Sequence, residues 1–216
     1  MNYKVVEILG YLIVIPAIIG LVRFQQIDRV YYPFIVLLWA GVVNEIINTI
    51  VINHFRSNAL NNNIYVLAEA ILILWFFKEL KLFGKRSKFF CLMLLSFFGI
   101  WCWENFILST INWFNSYFRI VYSFIIVLMS INLVNHLFII EHTRIERNPV
   151  FLIMTGFIIF FTYKVLIEIF WVYGLNSSHE FNIEVYRIMT YINLSVNIVY
   201  AIAVLWIPMK RESTLL

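Results

Sequence analysis

Residues 150–174 read VFLIMTGFIIFFTYKVLIEIFWVYG, with Lys164 and Glu168 the two charged positions. About 20 apolar residues in a helix cross a hydrocarbon core, so this run is long enough to span one. Similar runs recur at 5–23, 33–53, 63–80, 89–108, 117–140 and 183–207. Each is continuous, whereas a barrel strand needs about 9–11 residues that alternate in polarity, so the runs predict helices. The chain is 62% hydrophobic and 13% charged, against roughly 45–50% and about 25% in ordinary globular domains. That is more apolar surface than a water-soluble fold of 216 residues can hide. The pattern predicts an all-α polytopic membrane protein, one domain over 1–216, built as a bundle of seven transmembrane helices.

The first run resembles a signal peptide in length. It carries Glu7, ends in Arg23 and lacks a small-residue cleavage site, so it is expected to stay as the first span, kinked or thinned at Pro16 and Gly20. The connections are short: FRSNALNNN, GKRSK, STINWFNS, EHTRIERNP and LNSSHEFN.

Basic residues fall unevenly on the two ends of such a bundle. Eleven lie on one side: Arg23 and Arg29, five within KELKLFGKRSK, Arg144 and Arg147, and Lys210 and Arg211. Lys4, Arg56, Arg119 and Arg187 lie on the other. The positive-inside rule then predicts a cytoplasmic C-terminus and an external N-terminus. The KELKLFGKRSK cluster reads first as this topology signal, and second as a site for anionic lipid or a cytoplasmic partner. Cys91 and Cys102, eleven residues apart on one helix, stand about 16 Å apart along its axis and form no disulfide framework.

Ionisable residues inside membrane helices are costly and usually face a partner in the bundle. Lys164 and Glu168 stand at i and i+4 on one face, so they are expected to pair with each other. Glu45, Glu69 and Glu104 sit at similar depth in the second, third and fourth runs, with Arg119 and Arg187 opening the fifth and seventh. Four carboxylates and one lysine sum to −3 if all ionise. Protonation, an inward reach of Arg119 and Arg187, or a cationic ligand would balance them. Tyr186, Thr190, Asn193, Asn197 and Tyr200 follow a helical spacing, as an inward face would. Asn44 and Asn48 flank Glu45, and Tyr122, Asn132 and His136 form a further stripe. Asn and Thr also serve as packing glue between membrane helices, at around 0.6 kcal/mol each. Five membrane-depth ionisable groups exceed what glue needs, so Lys164, Glu168, Glu45, Glu69 and Glu104 lead the candidate site, with Arg119, Arg187, Asn193 and Asn197. Glu45, Glu104 and Glu168 are each followed, 18 to 20 residues on, by Tyr65, Tyr122 and Tyr186, a spacing compatible with an internal repeat.

No HExxH, G-x-S-x-G or P-loop is present. His54, His136, His142 and His179 form no ligand pair at helical spacing, so no metal or other cofactor is expected, and no nucleic-acid partner. The last helix has no lysine for a microbial-rhodopsin chromophore, and the Pro-Gln motif of the PQ-loop sugar carriers is missing. Ceramidase-like hydrolases need histidines that this pattern does not supply.

The segments IPAIIGLVRF, NEIINTI and NNNIYVLAEAILILWFF resemble small seven-helix integral membrane proteins of Bacteroidota. That resemblance implies an inner-membrane location and coupling to signalling proteins, and brings no activity with it. Three functions fit the residues. The first is a membrane-embedded binding or sensing module with an outward-facing acidic pocket for a small cationic or zwitterionic ligand. Lacking a soluble output domain, it would act through a membrane or cytoplasmic signalling partner. The second is a proton- or cation-coupled transporter, since membrane-depth carboxylates suit a proton relay. The third is an intramembrane enzyme acting on lipid, with Glu45 and Glu69 as acid and base.

Overall fold

The computed structural model describes residues 9–84, 87–140, 145–173 and 179–209. Among them are seven helices: α1 (Val14–Arg23), α2 (Tyr32–Phe55), α3 (Ala59–Glu79), α4 (Ser87–Trp103), α5 (Tyr117–Ile140), α6 (Pro149–Val172) and α7 (His179–Trp206). Six helical stretches are long and apolar enough to cross a bilayer, the mark of a multi-pass membrane protein. The exception is the first, whose described apolar stretch is Tyr11–Arg23. It covers about 20 Å at 1.5 Å per residue. The predicted start at 5 lies outside the described residues, as do Lys4, Lys85, Arg86, His142, Arg144, Lys210 and Arg211.

Local chemistry sets the helix ends. Asn148 accepts from the Val150 N–H at 2.8 Å, and Pro149 follows it, where its missing N–H costs nothing. Arg56 turns left-handed at φ 57° to end α2. α3 begins at Ala59, four residues before the expected 63, because the asparagines of NALNNN reach sideways instead of forming a loop. Asn61 donates to Asn44 and Asn48, both at 2.8 Å, Asn58 donates to Asn48, and Asn48 donates to Asn62. That ladder closes the α2–α3 hairpin. α7 likewise starts at His179, ahead of the expected 183.

Consecutive helices pack side by side, and α7 returns against α1, so the bundle closes into a ring with α3 also meeting α5. The end where α2, α4 and α6 finish is called upper here, and the opposite end lower. The lower half holds an aromatic core. Phe34 stacks on Phe76 at 5.6 Å and meets Tyr200 edge-on at 5.2 Å, and Phe157 contacts Phe34, Phe76, Phe77 and Phe161. Gly156 lets the Tyr200 ring lie on its bare backbone, since an added Cβ would overlap Tyr200 Cε1. Large apolar side chains such as Val22, Leu95, Phe138 and Ile159 face outward, as lipid contact requires. At the lower rim Arg23 donates to the carbonyls of Leu205 at 2.6 Å and Ile207 at 2.9 Å, and also to that of Val204. These are carbonyls that the end of α7 would otherwise leave without partners. Ile27 and Met209 complete the seam with an isolated bridge.

Candidate functional site

Lys164 does not pair with Glu168. Positions i and i+4 on a helix differ by about 40° around the axis, and in this bundle that offset sends the two side chains to different neighbours. Lys164 Nζ lies 2.8 Å from Glu69 Oε2 on α3. Glu168 Oε1 lies 3.4 Å from Arg119 at the start of α5. Two of the four carboxylates are thereby met by cations, while Glu45 and Glu104 make no ion pair among the described residues.

The first network is the deeper. Glu69 is buried. Its Oε2 accepts from Lys164 and from the Tyr122 hydroxyl, and its Oε1 accepts from Tyr65 at 3.4 Å. Lys164 also donates to Tyr122, and its ammonium lies over the rings of Tyr122, Phe160 and Phe161 at 5.1–5.6 Å. The cation is thus held by a carboxylate and by aromatic faces together. Four groups from α3, α5 and α6 form one continuous chain: Tyr65, Glu69, Tyr122, Lys164.

The second network fixes the upper end. Besides Arg119, Glu168 accepts from Ser116 at 2.6 Å. Arg119 also donates to Asn63 Oδ1 at 3.2 Å. Asn63 donates to the carbonyls of Ile111 and Trp113, and its own carbonyl accepts from Trp101 Nε1 at 2.8 Å. Glu104, 2% exposed, accepts from the N–H groups of Tyr117 and Phe118, both at 2.7 Å. It caps α5 from the end of α4, where a π turn, Glu104–Leu108, widens the backbone. A carboxylate at a helix N-terminus is favourable on both hydrogen-bonding and dipole grounds.

The first network borders a cavity of about 120 Å³, lined by Tyr65, Glu69 and Lys164, by Asn193, Asn197 and Tyr200 on α7, and by apolar groups including Leu38, Ile73 and Phe157. That volume is below the roughly 150 Å³ of an engineered cavity that takes benzene, so the space admits only a small molecule. Asn197 donates to Asn193 at 3.2 Å. The Tyr200 hydroxyl, Asn193 Nδ2 and Asn197 Oδ1 make no hydrogen bond to a described residue. The cavity therefore offers a satisfied ion pair and, beside it, uncommitted donors and acceptors.

The candidates separate accordingly. Glu69, Lys164, Asn193 and Asn197 meet at the cavity. Glu168, Arg119 and Glu104 serve the upper network. Arg187 does not reach inward but pairs with Glu184 at 2.7 Å on its own helix. Glu45 is half-buried beside Gly10, where an added Cβ would lie 3.6 Å from its Oε2, and its carboxylate has no ion pair among the described residues. Asn132 and His136 are exposed, so that stripe of α5 faces away from the interior, while Tyr122 faces in. Thr190, Asn197 and Tyr200 are buried as one face of α7; the Tyr186 side chain lies outside the described residues. Glu45, Glu104 and Glu168 occupy three unlike environments. The residues the sequence left unassigned are Asn63, hidden in a polar run, and Ser116 and Asn115 in the STINWFNS connection. Among the described residues, no group of three or more His, Cys, Asp or Glu side chains could hold a metal ion. No family model, curated protein or solved structure matches this chain.

Proposed function

We propose that this chain is a membrane-embedded binding module for a small zwitterionic molecule, with occupancy read out by a partner protein. The observation that carries the reading is the Glu69–Lys164 pair in the wall of a small cavity, beside the uncommitted Tyr200, Asn193 and Asn197. The pair is neutral as a unit. Among cationic and zwitterionic ligands, that favours a zwitterion, whose ammonium and carboxylate can each replace one member of the pair without leaving net charge at membrane depth. Phe157, Leu38 and Ile73 would take an apolar body. Glu69 is on α3 and Lys164 on α6, so exchanging their mutual contact for ligand contacts changes how these helices are held together. A ligand shifts a conformation by its differential affinity for the two states, and here the difference would lie in that spacing.

In this reading all seven helices span a bacterial inner membrane, with the N-terminus outside and the basic lower end in the cytoplasm, where it meets the partner. The basic asymmetry supports that orientation, and a C-terminal reporter active only in the cytoplasm tests it. For the ligand, thermal unfolding of the detergent-purified protein is followed with valine, with isobutylamine, which lacks the carboxylate, and with isovalerate, which lacks the amine. Saturable stabilisation by valine alone, lost in Tyr200→Phe, supports the reading. Equal shifts with all three, or none, overturn it. The continuous Tyr65–Glu69–Tyr122–Lys164 chain favours a second reading, proton-coupled transport. Valine-driven proton flux in proteoliposomes would establish transport in place of sensing.

A further inference from the structure

The segment from the end of α4 to the start of α5 is apolar on the outside and polar on the inside. Between Glu104 and Arg119 the sequence holds no charged residue, and those two side chains turn inward to Tyr117, Phe118, Asn63 and Glu168. Outward stand Phe106, Ile107, Leu108, Trp113, Phe114 and Tyr117, from 51% to 74% exposed. Thr110 and Asn112 are the exposed polar positions. Inside, Asn63 meets the carbonyls of Ile111 and Trp113, and Asn115 meets that of Thr110. A connection leaving water needs its backbone satisfied from within the protein, and these side chains do so. The segment continues the outward apolar surface of α4 and α5 to its upper edge, where aromatic side chains anchor proteins in the headgroup region.

We propose that residues 106–117 form a membrane-inserted anchor, with Trp113 and Phe114 lodged at the boundary between lipid headgroups and acyl chains. The occupant is lipid, bound through apolar and aromatic contact without dependence on headgroup charge, because the segment carries no basic side chain. Arg119 ties the anchor to the bundle, its guanidinium 5.8 Å from the Phe114 ring centroid while it pairs with Glu168. This inference stands independently of what the cavity binds.

Trp113 is exposed and makes no side-chain hydrogen bond to a described residue, so Trp113→Phe leaves the fold intact and isolates its emission by difference from wild type. Full-length protein is placed in phosphatidylcholine vesicles whose acyl chains carry bromine either near the headgroup or deep in the bilayer, with aqueous iodide as a third quencher. The proposal expects the Trp113 emission to be lost most strongly to shallow bromine, less to deep bromine and least to iodide. Adding anionic lipid should leave this order unchanged. Loss to iodide with insensitivity to both bromolipids places the segment in water and overturns the proposal. Insensitivity to all three quenchers means that protein covers the patch, as in a pairing of two copies, and overturns it equally.

Discussion

Replacing Lys164 by Met removes one of three donors to a buried carboxylate. Glu69 keeps Tyr65 and Tyr122, so the loss falls near the lower end of the range for breaking a buried pair, about 3 kcal/mol. Glu69→Gln leaves an ammonium with Tyr122 and three ring faces, which should cost about 4–5 kcal/mol. The double variant puts an apolar chain against a neutral amide of nearly the original shape. Such replacements are often neutral, so it should lie within about 1 kcal/mol of wild type. The singles together would then exceed the double by several kcal/mol, a large coupling for one contact. The assay is titration of the protein in mixed micelles with sodium dodecyl sulfate, followed by helical circular dichroism. A second cycle, Lys164→Met with Glu168→Gln, should be additive within about 0.5 kcal/mol, since those residues answer to different partners. Additivity in the Lys164/Glu69 cycle, or strong coupling in the Lys164/Glu168 cycle, would refute the pairing.

Glu104→Gln keeps one acceptor for two N–H groups at the start of α5, and should cost about 1–2 kcal/mol, with faster hydrogen exchange at Tyr117 and Phe118. Asn63→Ala strips the carbonyls of Ile111 and Trp113 of a shared donor, costing about 1–3 kcal/mol; faster proteolysis within 109–116, with α6 and α7 unchanged, is the check. Gly156→Ala drives a methyl into the Tyr200 ring and should destabilise by about 1–3 kcal/mol. A thermal scan measures it, and wild-type stability would show that the ring can move aside.

The sequence made the helices legible because lipid imposes a length and a polarity that survive without any knowledge of packing. It also named the residues at the cavity, since Glu69, Lys164, Asn193 and Asn197 are expensive where they stand. What it could not yield was who meets whom. The i, i+4 spacing of Lys164 and Glu168 is the strongest pairing cue in one dimension. It was overridden because α3 offers Glu69 to one side of α6 and α5 offers Arg119 to the other. The asparagine run that opens α3 reads as a connection by composition. Its bonds to Asn44, Asn48, Ile111 and Trp113 depend on which helices lie alongside, a matter of tertiary geometry. Asn132 is about 80° round α5 from Tyr122 at 3.6 residues per turn, and it and His136 fall outside the buried face that runs through Tyr122, Ile126, Ser130 and Leu133.

The clasp of Arg23 on the carbonyls at the end of α7 bears on how the protein is made. The two partners are 181 to 184 residues apart in the chain. At about 5–20 residues per second of synthesis, α1 leaves the ribosome roughly 10–40 s before α7 exists. During that interval its guanidinium is met by water or lipid headgroups, and the flank of α1 that α7 will cover is met by lipid or by the insertion machinery. Vectorial insertion can lay down the hairpins in order, but the ring closes only once α7 has been made. Ribosomes stalled before residue 204 should hold a bundle still open between its first and last helices.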